Sequence, residues 1–170
     1  MSASGSEAAA RERAGTPPRL VAVPGAGNGR PRAHPARSVV FLGIGDDASS
    51  RVAAALLAHR SKGRVRAVSA SQATVDHGPV VTAVLAELGA DLAAVVTRRP
   101  SRALLAGADL VVVMGYAAGD PAGGRPSEDW CIDDPRGKDP DAVRCLRDAL
   151  DRSVQRLLVR MGVAVPTRRR

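Results

Sequence analysis

The sequence predicts a doubly wound α/β fold, a four-stranded parallel sheet with helices on both faces. Three observations predict it. Residues 39–42 (VVFL) and 109–114 (DLVVVM) are short, continuous apolar runs rich in β-branched residues, the signature of strands buried on both sides in a parallel sheet. The segments between and after them carry apolar residues at helical spacing. Glycine, proline and capping side chains mark the changes from one pattern to the other, so strands alternate with helices.

Taken in order, residues 1–37 are Ala, Gly, Pro, Ser and Arg with little apolar periodicity, and read as a disordered basic leader. The organising stretch follows, SVVFLGIGDDASSRVAAALL over residues 38–57: a buried strand, a break at Gly43 and Gly45, and a helix. In that helix Val52, Ala53, Leu56 and Leu57 recur on one face, and residues 46–50 supply side chains suited to its N-cap. Residues 64–70 (RVRAVSA) alternate as a partly exposed second strand. Residues 79–88 read as a helix facing inward through Val80, Val81, Val84, Leu85 and Leu88, with Gly89 as its stop. Ser101 caps a short helix reaching Ala106, and the strand at 109–114 lies beside the first. Asp139 and Pro140 open a long helix to about Met161, striped by Val143, Leu146, Leu150, Val154, Leu157, Leu158 and Met161. In such a doubly wound (flavodoxin-like) sheet, ligands sit at the carboxyl ends of the central strands. That gathers residues 43–50, the segment after Met114, and residues 129–135 around one pocket.

Composition narrows the function classes. The formal charge of +8 sits in the tails: residues 1–37 hold six Arg against two Glu and residues 168–170 are all Arg, which leaves +1 for residues 38–167. A nucleic-acid face on the folded domain is therefore not expected. Cys131 and Cys145 are too few and too irregularly spaced for a disulfide framework or zinc site, and imply a reduced setting. No run approaches the ~18 apolar residues of a membrane span, and the N-terminus has no apolar signal core. The expectation is a cytoplasmic protein without membrane contact or cofactor, arranged as leader 1–37, domain 38–163 and basic tail 164–170.

Four segments carry a resemblance: the 38–57 stretch, VSASQATVDHGPVVTAVLAELGADL, ADLVVVMGYAAGD and EDWCIDDPRGKDPDAVRCLRDAL. In order and spacing they resemble the low-molecular-weight protein tyrosine phosphatases, most closely the arsenate reductase branch. That family's chemistry needs a cysteine after the first strand, five residues, an arginine and then Ser or Thr. Loop and helix N–H groups lower the thiolate pKa, the guanidinium grips the oxyanion, and a distant aspartate protonates the leaving group. Carried over by position, the cysteine falls on Gly43 and the arginine on Ser49; the loop's bracing Asn falls on Asp46 and the small polar residue before it on Gly45. Ser50 is retained, and Asp134 in EDWCIDDP takes the general-acid position. The resolving cysteine of thioredoxin-linked reductases is expected where Tyr116 stands.

The resemblance thus implies a vestigial anion loop over Gly43, Ile44, Gly45, Asp46, Asp47, Ala48, Ser49 and Ser50, with Asp134 an idle acid. Arg51, two helical residues past the required place, is rotated by about 200° and points away from the pocket. His59 and His77 are not placed to activate a serine. No metal is expected; Asp46, Asp47 and Asp134 are the only speculative cation ligands, and Asp46 and Asp47 read first as helix-capping residues. Cys145 reads as packing, Cys131 as a small hydrophobe, and Trp130 as cover for the sheet edge or pocket rim. Glu128 and Asp129 read as surface charges, residues 119–127 as a loop, and Arg98, Arg99 and Arg102 as a solvated face. The favoured expectation is a catalytically inactive domain that binds or regulates, with an unknown protein partner. The alternatives are residual or altered phosphotyrosine phosphatase or arsenate reductase activity, and an oligomerising scaffold without a ligand.

Overall fold

The computed structural model describes residues 21–22, 38–44, 48–72, 76–115 and 119–164. In chain order the elements are β1 (Val21–Ala22), β2 (Ser38–Gly43), α1 (Ser49–Ser61), β3 (Arg66–Ala70), α2 (Gly78–Ala86), β4 (Thr97–Arg98), α3 (Arg102–Ala106), β5 (Leu110–Met114), β6 (Ser127–Trp130) and α4 (Pro140–Arg160). They form an α/β fold around one sheet of order β1-β6-β5-β2-β3-β4. Pairings from β6 through β4 are all parallel, and β1 joins β6 antiparallel. The expected four parallel strands are therefore five, because Thr97–Arg98 pairs with Ser69 and Ala70 and extends the sheet. Two residues of the expected leader, Val21 and Ala22, pair with Asp129 and Glu128. The remainder of the leader and residues 165–170 of the tail lie outside the described residues.

Alternation along the strands divides the core in two. Val39, Phe41, Val112, Met114 and Trp130 face α1, α2 and α4. Val40, Leu42, Val68, Ala70, Val111 and Val113 face the other way, where, among the described residues, Leu104 and Leu105 of the five-residue α3 pack on them with Ile44, Ala108 and Ala122. The helical cover is thus unequal. On the fuller side α1 is buried nearly all round, with Val52, Ala53, Ala54, Ala55, Leu56 and Leu57 each at 3% exposure or less. The single inward face expected for it is corrected: α1 is the middle layer between sheet and α4, and alanine is small enough to admit both neighbours. Trp130 is corrected in the same way. It is fully buried, edge-on to Phe41 at 5.7 Å between ring centres, and its indole N–H donates to Glu128 Oε2 at 3.1 Å. Glu128, expected on the surface, is half-buried and also takes a hydrogen bond from Arg160.

The boundaries follow local chemistry. Ser101 Oγ accepts from Leu104 N at 3.1 Å and Asp139 Oδ1 from Ala142 N at 2.9 Å, so both expected caps are in place. Helix α2 runs one residue earlier than expected and stops two sooner, closing through Ala90 N–H to Leu85 O at 3.2 Å. Gly89, at φ +78°, permits that closure. The capping expected at α1 is not realised: its N-cap is Ala48, with no side-chain hydrogen bond.

Polar side chains fasten the helical layer to itself. Arg60 of α1 donates twice to Asp151 of α4, at 2.7 and 2.6 Å, and Gln155 adds a third donor at 2.7 Å. Arg147 of α4, only 8% exposed, donates to Val84 O at 2.8 Å and Glu87 Oε2 at 2.6 Å, reaching the carbonyl end of α2. Arg144 reaches Glu87 Oε1 at 2.7 Å. Hydrogen bonds from Arg144 and then Arg147 draw the Glu87 carboxyl down to about 2.

Two stability predictions follow from this layer. Leu57→Ala should lower unfolding free energy by about 2–5 kcal/mol in urea titrations, whereas Val159→Ala, at an exposed site, should stay within about 0.5 kcal/mol. Because Glu87 titrates lower folded than unfolded, its contribution is complete above the ordinary carboxylate value of about 4.3 and is lost as pH falls towards about 2. Glu87→Gln should flatten that part of the pH–stability curve.

Candidate functional site

A doubly wound sheet opens a crevice where successive connections leave a strand in opposite directions. Here the chain passes from β2 to β3 on one side and later returns to β5 on the other. At the carboxyl ends of β2 and β5, Gly43 pairs with Met114, and Ile44 N–H donates to Met114 O at 3.0 Å. Gly115 sits at φ +98°, where an added Cβ would lie 3.5 Å from the Ile44 Cβ, so the two loops leave their strands in close contact. The sequence located this junction correctly.

Of the expected loop residues, Gly43 is buried and Ile44 half-buried. Ala48, Ser49 and Ser50 are at 1%, 0% and 1% exposure. Ser50 Oγ lies 3.1 Å from Ser69 Oγ of β3, so its hydroxyl bridges α1 to the sheet. Gly45, Asp46, Asp47 and Tyr116 lie outside the described residues. Arg51 turns away as expected and donates to Leu92 O at 3.0 Å.

His77 is the residue that sequence reasoning missed. Expected only to open a helix, it occupies the N-cap position of α2, is 8% exposed, and its Nε2 donates to Ala48 O at 3.1 Å. It thereby ties the end of the anion-loop segment to the start of α2. Its charge also acts on Asp134, so the three segments holding Ala48, His77 and Asp134 converge. The one available signal was the DHGP sequence: Asp76 Oδ1 accepts from Gly78 N at 2.9 Å, an Asx turn that fixes the chain beside His77.

Asp134 stands in the segment between β6 and α4, and Arg136 clasps it through its backbone N–H at 2.9 Å, Nε at 2.7 Å and Nη2. Burial pushes its carboxyl upward, but the Arg136 hydrogen bonds and charge, with His77 adding to them, outweigh burial and hold it below its ordinary value. A carboxyl so held is ionised at neutral pH and is a poor proton donor. Arg136 is also the cation already at Asp134, which leaves little call for a metal there. Among the described residues no group of three or more His, Cys, Asp and Glu is placed to hold one. Cys131 is half-buried, and Cys145 is exposed. The packing role expected for Cys145 is corrected, since α4 turns Val143 and Arg147 inward and Cys145 lies between those rows.

No family model matches the chain, and no curated protein matches it. Solved structures do. An arsenate reductase in its phosphate-binding state is 19% identical with a TM-score of 0.64, covering 74% of this chain and 98% of its own. The tyrosine phosphatase AmsI of Erwinia amylovora is 18% identical with a TM-score of 0.62, covering 76% and 95%. The sulphate-bound tyrosine phosphatase Wzb of Escherichia coli K30 is 20% identical with a TM-score of 0.60, covering 75% and 99%. The fold is that of the low-molecular-weight tyrosine phosphatases and arsenate reductases.

Arg136→Ala should raise the Asp134 carboxyl pKa, read by carbon-detected NMR titration of side-chain carboxyls. In the parent protein Asp134 contributes stability above the unfolded value of about 3.9 and loses it as pH falls through its lower folded value. The variant should lose that acid-side dependence.

Proposed function

We propose that this chain is a catalytically inactive domain of the phosphatase and arsenate reductase fold, working as a binding or regulatory module. The observation that carries the reading is Gly43. It ends β2 against Met114, at the place where a nucleophilic thiol would have to stand, and the chain's two cysteines are elsewhere, on α4 and just after β6. Two further features agree. Ser49 gives no guanidinium for an oxyanion, and Asp134 is held ionised by Arg136 rather than poised to donate a proton. Loss of a charged bidentate contact weakens oxyanion binding by about 1.5–3 kcal/mol. The reading is of a domain that keeps the frame of the fold and has exchanged its chemistry for recognition of a protein partner.

Hydrolysis of an aryl phosphate and thiol-dependent reduction of arsenate should both be absent above the buffer rate. Turnover that disappears in Asp134→Ala would overturn the proposal in favour of residual or altered chemistry. In calorimetric titrations with phosphate and arsenate, the double variant Gly43→Cys, Ser49→Arg should bind more tightly than the parent; no gain means that the loop has lost its cradle geometry along with its reactive groups.

A further inference from the structure

The side of the sheet facing α3 carries a cleft of about 560 Å³ that is independent of the β2–β5 crevice. Its floor is apolar but narrow: Val40 and Val68, side by side in register on β2 and β3, are nearly buried at 2% and 7% exposure, so the apolar surface it offers is mainly that of Leu104 and Ala103 of α3. Its rim is cationic. Arg66 begins β3, Arg98 ends β4 and Arg99 follows it, and all three are exposed. Arg98 stands level with Ala70, which faces α3, so β4 turns the Arg98 side chain to that same side. Several other arginines are ion-paired, Arg60 to Asp151, Arg136 to Asp134, Arg144 and Arg147 to Glu87 and Arg160 to Glu128, while Arg152 on α4 pairs with no described carboxylate. Among the described residues, Arg66, Arg98 and Arg99 have no carboxylate within ion-pairing distance, although a body of charge near +1 has acidic groups to offer.

We propose that this cleft docks an acidic, partly apolar peptide segment of a partner protein. Planar guanidinium groups match carboxylates two bonds at a time, and the apolar side chains beside them, Leu104 and Ala103 foremost, favour acidic residues interspersed with aliphatic ones. The cleft is of ligand size but open along its rim, so a chain lying across it fills it better than a small molecule enclosed by it. The chain's own residues 1–37 are a poor occupant, carrying six Arg against two Glu. Nucleic acid is disfavoured because its phosphates make no use of the apolar floor. The inference stands apart from the chemistry at Gly43 and holds whether or not the domain is an enzyme.

The test is an amide NMR titration of the full-length protein with an acetylated, amidated Glu-Leu-Glu-Leu-Glu-Leu peptide. Saturable shifts are expected at Val40, Val68 and Leu104, with affinity about tenfold or more weaker in the variants Arg98→Glu and Arg66→Ser. Arg152→Glu, on exposed α4 surface, should leave binding unchanged. A Glu-Ser peptide of equal charge should bind more weakly, for want of contact with the floor. The proposal is overturned by shifts that do not saturate, by shifts scattered away from the cleft, by unaltered affinity in Arg98→Glu, by equal affinity for the Glu-Ser peptide, or by tighter binding of a short DNA duplex at the same residues.

Discussion

The burial of α1 on every side is the constraint from which the rest of the structure is set. A helix lying between a parallel sheet and a second helix needs small side chains toward both, and Ala53, Ala54 and Ala55 meet that need at 1% exposure or less. Once α1 is fixed, β2 and β3 are bound to it, and Ser50 and Ser69 satisfy each other where a polar group would otherwise be stranded. The position of the α1 N-terminus then follows, and with it the place where any ligand of the β2–β5 crevice would meet helix N–H groups.

Polar contacts order the surroundings of the crevice, while Ile132 and Pro135 seat the acid segment on the core. His77 reaches back to Ala48 O, and Arg136 closes on Asp134 two residues away. An ion pair at two half-exposed side chains adds little to stability. Its consequence is electrostatic, since it holds the Asp134 carboxyl below its ordinary value.

The long buried elements were legible because one physical signal dominates each of them. Residues 109–114 could only be a central strand, and Asp139 with Pro140 could only begin a helix. What was not legible depends on neighbours distant in sequence. Ser127–Trp130 is a strand because β5 offers it a parallel edge, although its own residues, SEDW, have no strand pattern. Trp130 is core because Phe41 waits opposite. Thr97–Arg98 is too short for any periodicity. The DHGP turn marked the place of His77 but not its role, as its partner Ala48 is 29 residues away and binds through a backbone carbonyl. Arg147 and Asp151, which the apolar stripe of α4 does not include, are both buried by partners on α2 and α1.

A catalytic loop can lose its reactive residues without loss of the frame only if those residues do not hold the frame. That separation is visible at Gly43, whose backbone completes the β2–β5 pairing whatever side chain it bears. It is visible again at α1, which begins without a side-chain cap and is held instead by the apolar contacts of Val52, Leu56 and Leu57. Selection on packing and selection on chemistry therefore act on different atoms here. The side of the sheet where, among the described residues, the five residues of α3 are the only helix also carries arginines that no described carboxylate pairs. On the proposed reading of the β2–β5 crevice, cationic groups beside apolar side chains are where new binding can evolve at least cost to the fold.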